Sequence, residues 1–303
     1  MELNNFTDLG KYVNIDGHNL FVIDMGADDL QEKEVMVIIN GFPSISYDYH
    51  KVLLELSQYY RVIIHDHFGF GFSELPSKYC YSLIEQADVC IKLWTKMKLK
   101  KFSILANNYG TKVAQEVLFR YNSKLLPFKL NKVILSKNSN KLDYLNLLNL
   151  NKLIENKKLV RYREELTSRD NKGELENFEF KNRGLTEDDS KVHKIWNKFN
   201  DLHGQREILV ASNFLDESYL YWHRWVKALK DSEIPVKIFW RKDDVQIKEI
   251  VVSLISNPPE NVEFIENVKC FVMEDNPTQW LKMVMKNVNR TVYFELKNKY
   301  EVI

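Results

Sequence analysis

The residues of this chain best placed to do chemistry surround one pentapeptide, Ala106-Asn107-Asn108-Tyr109-Gly110. Between a strand and a helix, a small-x-nucleophile-x-Gly segment pushes its central side chain out at the top of a sheet. Backbone N–H groups beside it can then stabilise a developing oxyanion. The central residue has to tolerate positive φ, which Asn does at low cost. Its reactivity does not suit the position: a neutral amide is a poor nucleophile where Ser, Cys or Asp would be expected. The frame for nucleophilic catalysis is present and its reactive group is not. A second set is His65 and His67, which flank Asp66. As a metal pair they lack a third ligand in the sequence, so no metal site is expected. Cys80, Cys90 and Cys270 are an odd number without metal spacing and read as reduced thiols of a cytoplasmic protein.

The pentapeptide needs a strand before it and a helix after it. Phe102–Leu105 is a short, mostly apolar run that suits a buried parallel strand, and Tyr109-Gly110 reads as a tight turn. Thr111–Arg120 then has helical spacing, with Val113, Val117 and Leu118 on one face and Lys112, Gln115 and Glu116 on the other. Upstream, Lys11–Ile15 and Asn19–Asp24 form a hairpin through Asp16-Gly17. The apolar run Val35–Ile39 ends in Asn40-Gly41-Phe42-Pro43 and is followed by an amphipathic helix over Ser46–Tyr60. Arg61–Ile64 is the next buried strand, then comes a helix over Tyr81–Met97, and Lys132–Leu135 is a further strand. Repeated alternation of apolar strands with helices predicts an α/β architecture, a mostly parallel sheet covered on both sides.

From about Asn138 the strand signals stop, and a segment rich in Lys, Asn and Leu runs to about Asp231. Tyr144–Leu153 and Ile208–Leu229 are its clearest helical stretches, the latter readable as two pieces, Glu207–Leu215 and Trp222–Leu229. The expected organisation is a core in two parts, residues 1–138 and 233–303, with a helical cap inserted at 139–232. Strands at Pro235–Trp240 and Val262–Ile265, a loop over Val268–Glu274 and a helix over Pro277–Asn289 complete the second part. The chain has 303 residues, 45% of them hydrophobic, enough for a full-sized core. A formal charge of +1 gives no electrostatic reason to expect nucleic acid or an anionic membrane as a partner. No apolar run approaches the length of a transmembrane helix.

These landmarks fall in an order that resembles an α/β-hydrolase with a helical cap. The branch resembled is that of epoxide hydrolases and haloalkane dehalogenases, and within it the mesoderm-specific transcript proteins. The matching stretches include Asn40-Gly41-Phe42-Pro43, Ser46-Tyr47-Asp48, Gly69-Phe70-Gly71-Phe72-Ser73, Asn108-Tyr109-Gly110, Arg224-Trp225-Val226, Asp244-Val245 and Pro277. The resemblance implies an oxyanion hole from the backbone N–H groups of Phe42 and Tyr109. It places Asn108 where the branch has its nucleophilic aspartate, Asp244 at the acid position, and Cys270, followed by Phe271, where a general-base histidine would stand. It also implies a pocket lined by Asn40, Phe68, Tyr219, Tyr221, Trp222, Trp240 and Phe271.

A triad of Asn108, Asp244 and Cys270 has lost both the attacking oxygen and the base that would release an ester. Two readings remain at this point. In the first, the chain is a non-catalytic relative that needs no cofactor and binds a small, neutral, apolar ligand or a protein partner. In the second, it is a hydrolase of a small ester, epoxide or related substrate that uses non-standard residues. Either way, Asn108 is a hydrogen-bonding group for a ligand or simply a turn residue. Tyr219, Tyr221 and Trp222 are either an aromatic wall or ordinary helix packing.

Overall fold

The computed structural model describes residues 3–26, 33–41, 44–77, 79–137, 217–218, 220–241, 262–265, 273 and 276–288. Its centre is an eight-stranded sheet. The strands are β1 (Gly10–Ile15), β2 (His18–Met25), β3 (Val35–Ile39), β4 (Arg61–His65), β5 (Lys101–Asn107), β6 (Lys129–Lys137), β7 (Val236–Arg241) and β8 (Val262–Ile265). They are ordered β1-β2-β4-β3-β5-β6-β7-β8. The hairpin at one edge pairs antiparallel, both within itself and with β4. From β4 to β8 every pairing is parallel.

The period of two along each strand divides the core into two layers. Val37, Ile39, Ile63, Ile104, Ala106 and Val133 face α3 (Leu83–Lys96), α4 (Tyr109–Asn122) and α5 (Trp222–Lys230). Met36, Ile38, Val62, Ile64, Leu105 and Ile134 face the other way, towards α2 (Leu53–Tyr59) and α6 (Pro277–Val288). The short helix α1 (Leu3–Thr7) joins this second layer through Phe6, whose ring meets Tyr47 edge-on at 5.1 Å.

The expected helix over Ser46–Tyr60 is two pieces, a 3-10 turn at Ser46–Tyr49 and then α2. Carboxylates fix the first piece: Asp48 accepts from the Ile45 N–H at 3.0 Å, and Asp66 accepts from the Ser46 N–H at 2.6 Å. The expected turn at Tyr109-Gly110 lies one step earlier, because both residues already belong to α4. Nor does the polar face of α4 face water: Lys112 and Glu116 are buried there. Helix α5 covers them, donating from the Trp225 indole to Glu116 at 3.0 Å and placing that ring 5.5 Å from the Lys112 ammonium. Trp222–Lys230 thus packs as the second of the two pieces expected from the pattern. Tyr144–Leu153, Glu207–Leu215 and nearly all of the expected cap lie outside the described residues.

Candidate functional site

The site begins where β5 gives way to α4. Asn108 sits between them with φ 45° and ψ −114°, a backbone conformation that non-glycine residues rarely adopt. Its N–H donates to the Ser136 carbonyl at the end of β6, at 3.0 Å. Its own carbonyl accepts from the Thr111 N–H at 2.9 Å and from the Thr111 hydroxyl at 2.6 Å. Gly110 allows the helix to start this close to the sheet. A Cβ there would lie 2.3 Å from the Ile39 carbonyl oxygen and 2.5 Å from that of Asn40. The loop after β3 is pressed equally close, since a Cβ on Gly41 would stand 3.0 Å from the Asn108 Cβ. The elbow and the Asn40-Gly41 loop, which the sequence places far apart, therefore meet at the carboxyl edge of the sheet.

Asn40 is fully buried, and its side-chain amide turns back to donate to the Ser44 carbonyl at 2.9 Å, closing its own loop. Tyr109 occupies the first turn of α4. Its ring is buried, with His67 and Phe70 each 5.5 Å away. Phe68 packs into the core rather than standing at its edge, edge-on to Tyr79 at 5.5 Å and to His18 at 5.9 Å. Tyr221 precedes α5 and packs against Trp225, while Trp222 lies half-buried beside His223. Phe42, Tyr219, Asp244, Cys270 and Phe271 lie outside the described residues, and Trp240 is described only as part of β7.

Two acidic groups that sequence reasoning passed over hold the surroundings of the elbow. Asp66 is buried, and its carboxylate joins the turn at Ser46 to the Gly69–Ser73 loop by accepting from the Phe72 N–H at 3.0 Å. A Cβ on Gly71 would come within 2.2 Å of that carboxylate, so the loop needs glycine there. Burial pushes Asp66 up to about 6, against the pull of those N–H donors. Glu217 accepts from the Leu83 N–H at 2.6 Å at the start of α3, beside the Ser82 hydroxyl that caps the helix. An Asp before a Gly-rich loop is a visible signal for the first. Nothing local in the sequence marks the second.

His65 and His67 point to the same side of β4, and α3 brings Cys90 to them as a third possible ligand.

The parallel sheet, its antiparallel edge and the sharp strand–helix elbow at Asn108 are the architecture of an α/β hydrolase. The sequence model of the alpha/beta hydrolase fold family matches residues 34–275, and the chain belongs to that family. Within it the chain is similar to mesoderm-specific transcript proteins. It is 35% identical to the mouse protein over 122 residues, which is 39% of this chain and 36% of the mouse protein's length. It is 27% identical to the bovine homologue over 250 residues, 78% of this chain and 72% of that protein. Among solved structures, an epoxide hydrolase from Vigna radiata superposes with a TM-score of 0.68 at 18% identity, covering 93% of this chain and 98% of its own. A putative epoxide hydrolase from Pseudomonas aeruginosa gives 0.70 at 14% identity, covering 95% and 96%. No helix among the described residues is long and apolar enough to cross a membrane.

Proposed function

We propose that this chain keeps the hydrolase scaffold as a binding site for a small neutral molecule with a carbonyl-type acceptor, and does not perform nucleophilic hydrolysis. The observation that carries this reading is Asn108 at the tip of a fully formed elbow, with φ 45° and ψ −114°. The side chain displayed there is an amide that can donate and accept hydrogen bonds but cannot attack carbon. The helix start beside it suits an oxygen acceptor on the ligand. Asp244 and Cys270, assigned to the acid and base positions by resemblance, complete a set with no histidine at the position that activates water. Segment 139–232 would roof the site as a cap, with aromatic side chains from Tyr219, Tyr221 and Trp222 lining it. In such a fold ligands bind outside the carboxyl ends of the parallel strands, the edge at which the elbow stands. The near-neutral charge supports a neutral ligand over an anionic one.

The test is a thermal-shift screen of small lactones, amides and esters with the full chain, alongside an Asn108→Asp variant offered epoxides and haloalkanes. Binders should raise the melting temperature, and Asn108→Leu should reduce the effect. Asn108→Asp should form at most a single covalent adduct per chain, visible by mass spectrometry, without steady turnover. Multiple turnover by the unaltered chain would overturn the reading.

A further inference from the structure

Beneath the elbow, on the side of the sheet covered by α3, lies a buried cluster whose chemistry neither the fold nor the proposed ligand site uses. We propose that His65, His67 and Cys90 form a binding site for a late first-row divalent metal ion, with Zn²⁺ the best match.

His65 ends β4 and His67 follows two residues on, so both side chains leave the same side of the chain. Cys90 comes from the buried face of α3, together with Leu83, Ala87 and Leu93. All three residues are buried, and their ligand atoms lie within 4.8 Å of one another. The Cys90 sulfur stands 3.5 Å from His65 Nε2. With Zn–N near 2.0–2.1 Å and Zn–S near 2.3 Å, the N–S edge of a tetrahedral site is about 3.6 Å, so this pair is already spaced for one ion. An adjustment of about 1 Å at the His67 ring brings the third ligand into the same shell.

The surroundings give an independent reason to look for a bound group. Neither ring nitrogen of His67 makes a well-formed hydrogen bond, and only the Asn40 backbone and the Gln86 side chain approach the ring as weak partners. Gln86 spends its amide N–H on the Phe68 carbonyl at 3.1 Å, and its buried Oε1 is turned to the His67 ring without a well-formed bond. The Tyr79 hydroxyl is likewise buried and unsatisfied, within electrostatic range of Cys90. Buried polar atoms are rarely left without a well-formed bond, and these lie on the side chains that surround the cluster. Two imidazoles and a thiol suit zinc, which takes nitrogen and sulfur donors without geometric demands from its d-electrons. Burial keeps both imidazoles neutral, driving His65 down to about 4 and His67 well below its usual range, so neither has to lose a proton. The thiol does: burial holds Cys90 in its protonated form, and binding transfers that proton to solvent as the Zn–S bond forms. Zn²⁺ with one thiolate and two neutral imidazoles carries a net charge of +1.

The test uses the full chain, freed of metal by a chelator and dialysed. Titration with Zn²⁺ against a colorimetric competitor should show about one ion per chain. Replacement by Co²⁺ should produce a thiolate-to-cobalt charge-transfer band together with the intense visible bands of a tetrahedral site. Cys90→Ser should abolish the charge-transfer band and weaken Zn²⁺ by at least the ~10–100-fold seen when a mere supporting partner of a metal ligand is lost. His67→Phe should weaken it similarly. Cys80→Ser, at an exposed thiol, should change neither readout. The proposal fails if the unaltered chain binds no Zn²⁺ beyond background, which would leave the cluster to buried water. It also fails if the cobalt–thiolate band survives in Cys90→Ser. The first of these outcomes needs no variant to fold.

Discussion

Removing Glu116 tests the account of how the elbow helix is held. The carboxylate is fully buried in the middle of α4 and takes bonds from three donors. These are the Trp225 indole N–H at 3.0 Å, Arg120 Nε at 2.8 Å and an Arg224 guanidinium N–H. In Glu116→Leu the indole N–H is left buried without an acceptor, at about 2 kcal/mol. The two arginine bonds are discounted because their side chains reach solvent, 16% exposed for Arg120 and 28% for Arg224. Arg120 also keeps Asp88, and Arg224 keeps its stack on Phe119 at 4.1 Å, so together they lose about 2 kcal/mol rather than the full value of two charged bonds. Apolar packing of the new leucine returns about 1 kcal/mol, leaving a net loss of about 3 kcal/mol, at the low end for a broken buried ion pair. In urea, with an m-value of about 3 kcal/mol/M, the midpoint should fall by about 1 M at unchanged slope. Adding Arg224→Met to Glu116→Leu should cost less than the sum of the two single changes, with a coupling of about 1 kcal/mol or more. A midpoint shift under about 0.3 M for the single variant would show that α5 is not bonded to α4 in this way.

Three further outcomes follow from the same geometry. Asp66 titrates near 6 in the folded chain against 3.8 in its absence, so the folded state binds the extra proton between those values. Its contribution is therefore complete below about pH 4 and falls by roughly 3 kcal/mol as the pH rises through about 6; the difference in urea midpoint between the native chain and Asp66→Asn, followed across that interval, should show this slope. Gly110→Ala should abolish the folded state or cost more than about 3 kcal/mol by circular dichroism melts, because the new Cβ meets the Ile39 and Asn40 carbonyl oxygens. With a thiol reagent under native conditions, Cys80 should label readily and Cys90 only on unfolding, since one is exposed and the other fully buried.

Much of the sheet was legible because its strands are covered on both faces. Val35–Ile39 and Val262–Ile265 match their strands residue for residue, the first as a wholly apolar run and the second as a short β-branched and aromatic stretch between Asn261 and Glu266. Asp16-Gly17 likewise located the first hairpin, since both residues take positive φ there. Errors arose where a distant group decides the local outcome. The helix expected over Ser46–Tyr60 is two pieces, and the start of the first is held by Asp66, twenty residues on, which accepts from the Ser46 N–H. The polar face of α4 was visible in the spacing of Lys112 and Glu116, but its cover is not: Trp225 and Arg224 arrive more than a hundred residues later. Cys90 is invisible beside the histidines in the sequence for the same reason: the His65 and His67 rings lie 5.0 Å apart, and only the packing of α3 brings the thiol to them.

The elbow itself has to be interpreted with the same distinction in mind. A residue at positive φ costs of the order of 1–3 kcal/mol and persists only where its surroundings over-determine it. At Asn108 they do. The Ser136 carbonyl holds its N–H, Thr111 holds its carbonyl through two bonds, and Gly110 and Gly41 let two neighbouring segments close on it. None of these contacts involves the atoms that would attack a substrate. The strained backbone is thus a property of joining β5 to α4 under a parallel sheet, and it would survive the loss of catalysis unchanged. That is why the intact geometry cannot argue for hydrolysis here, and why the functional reading rests on the chemistry of the side chain displayed. At Asn108 that chemistry is hydrogen bonding, on which the proposed recognition of a carbonyl-type acceptor rests.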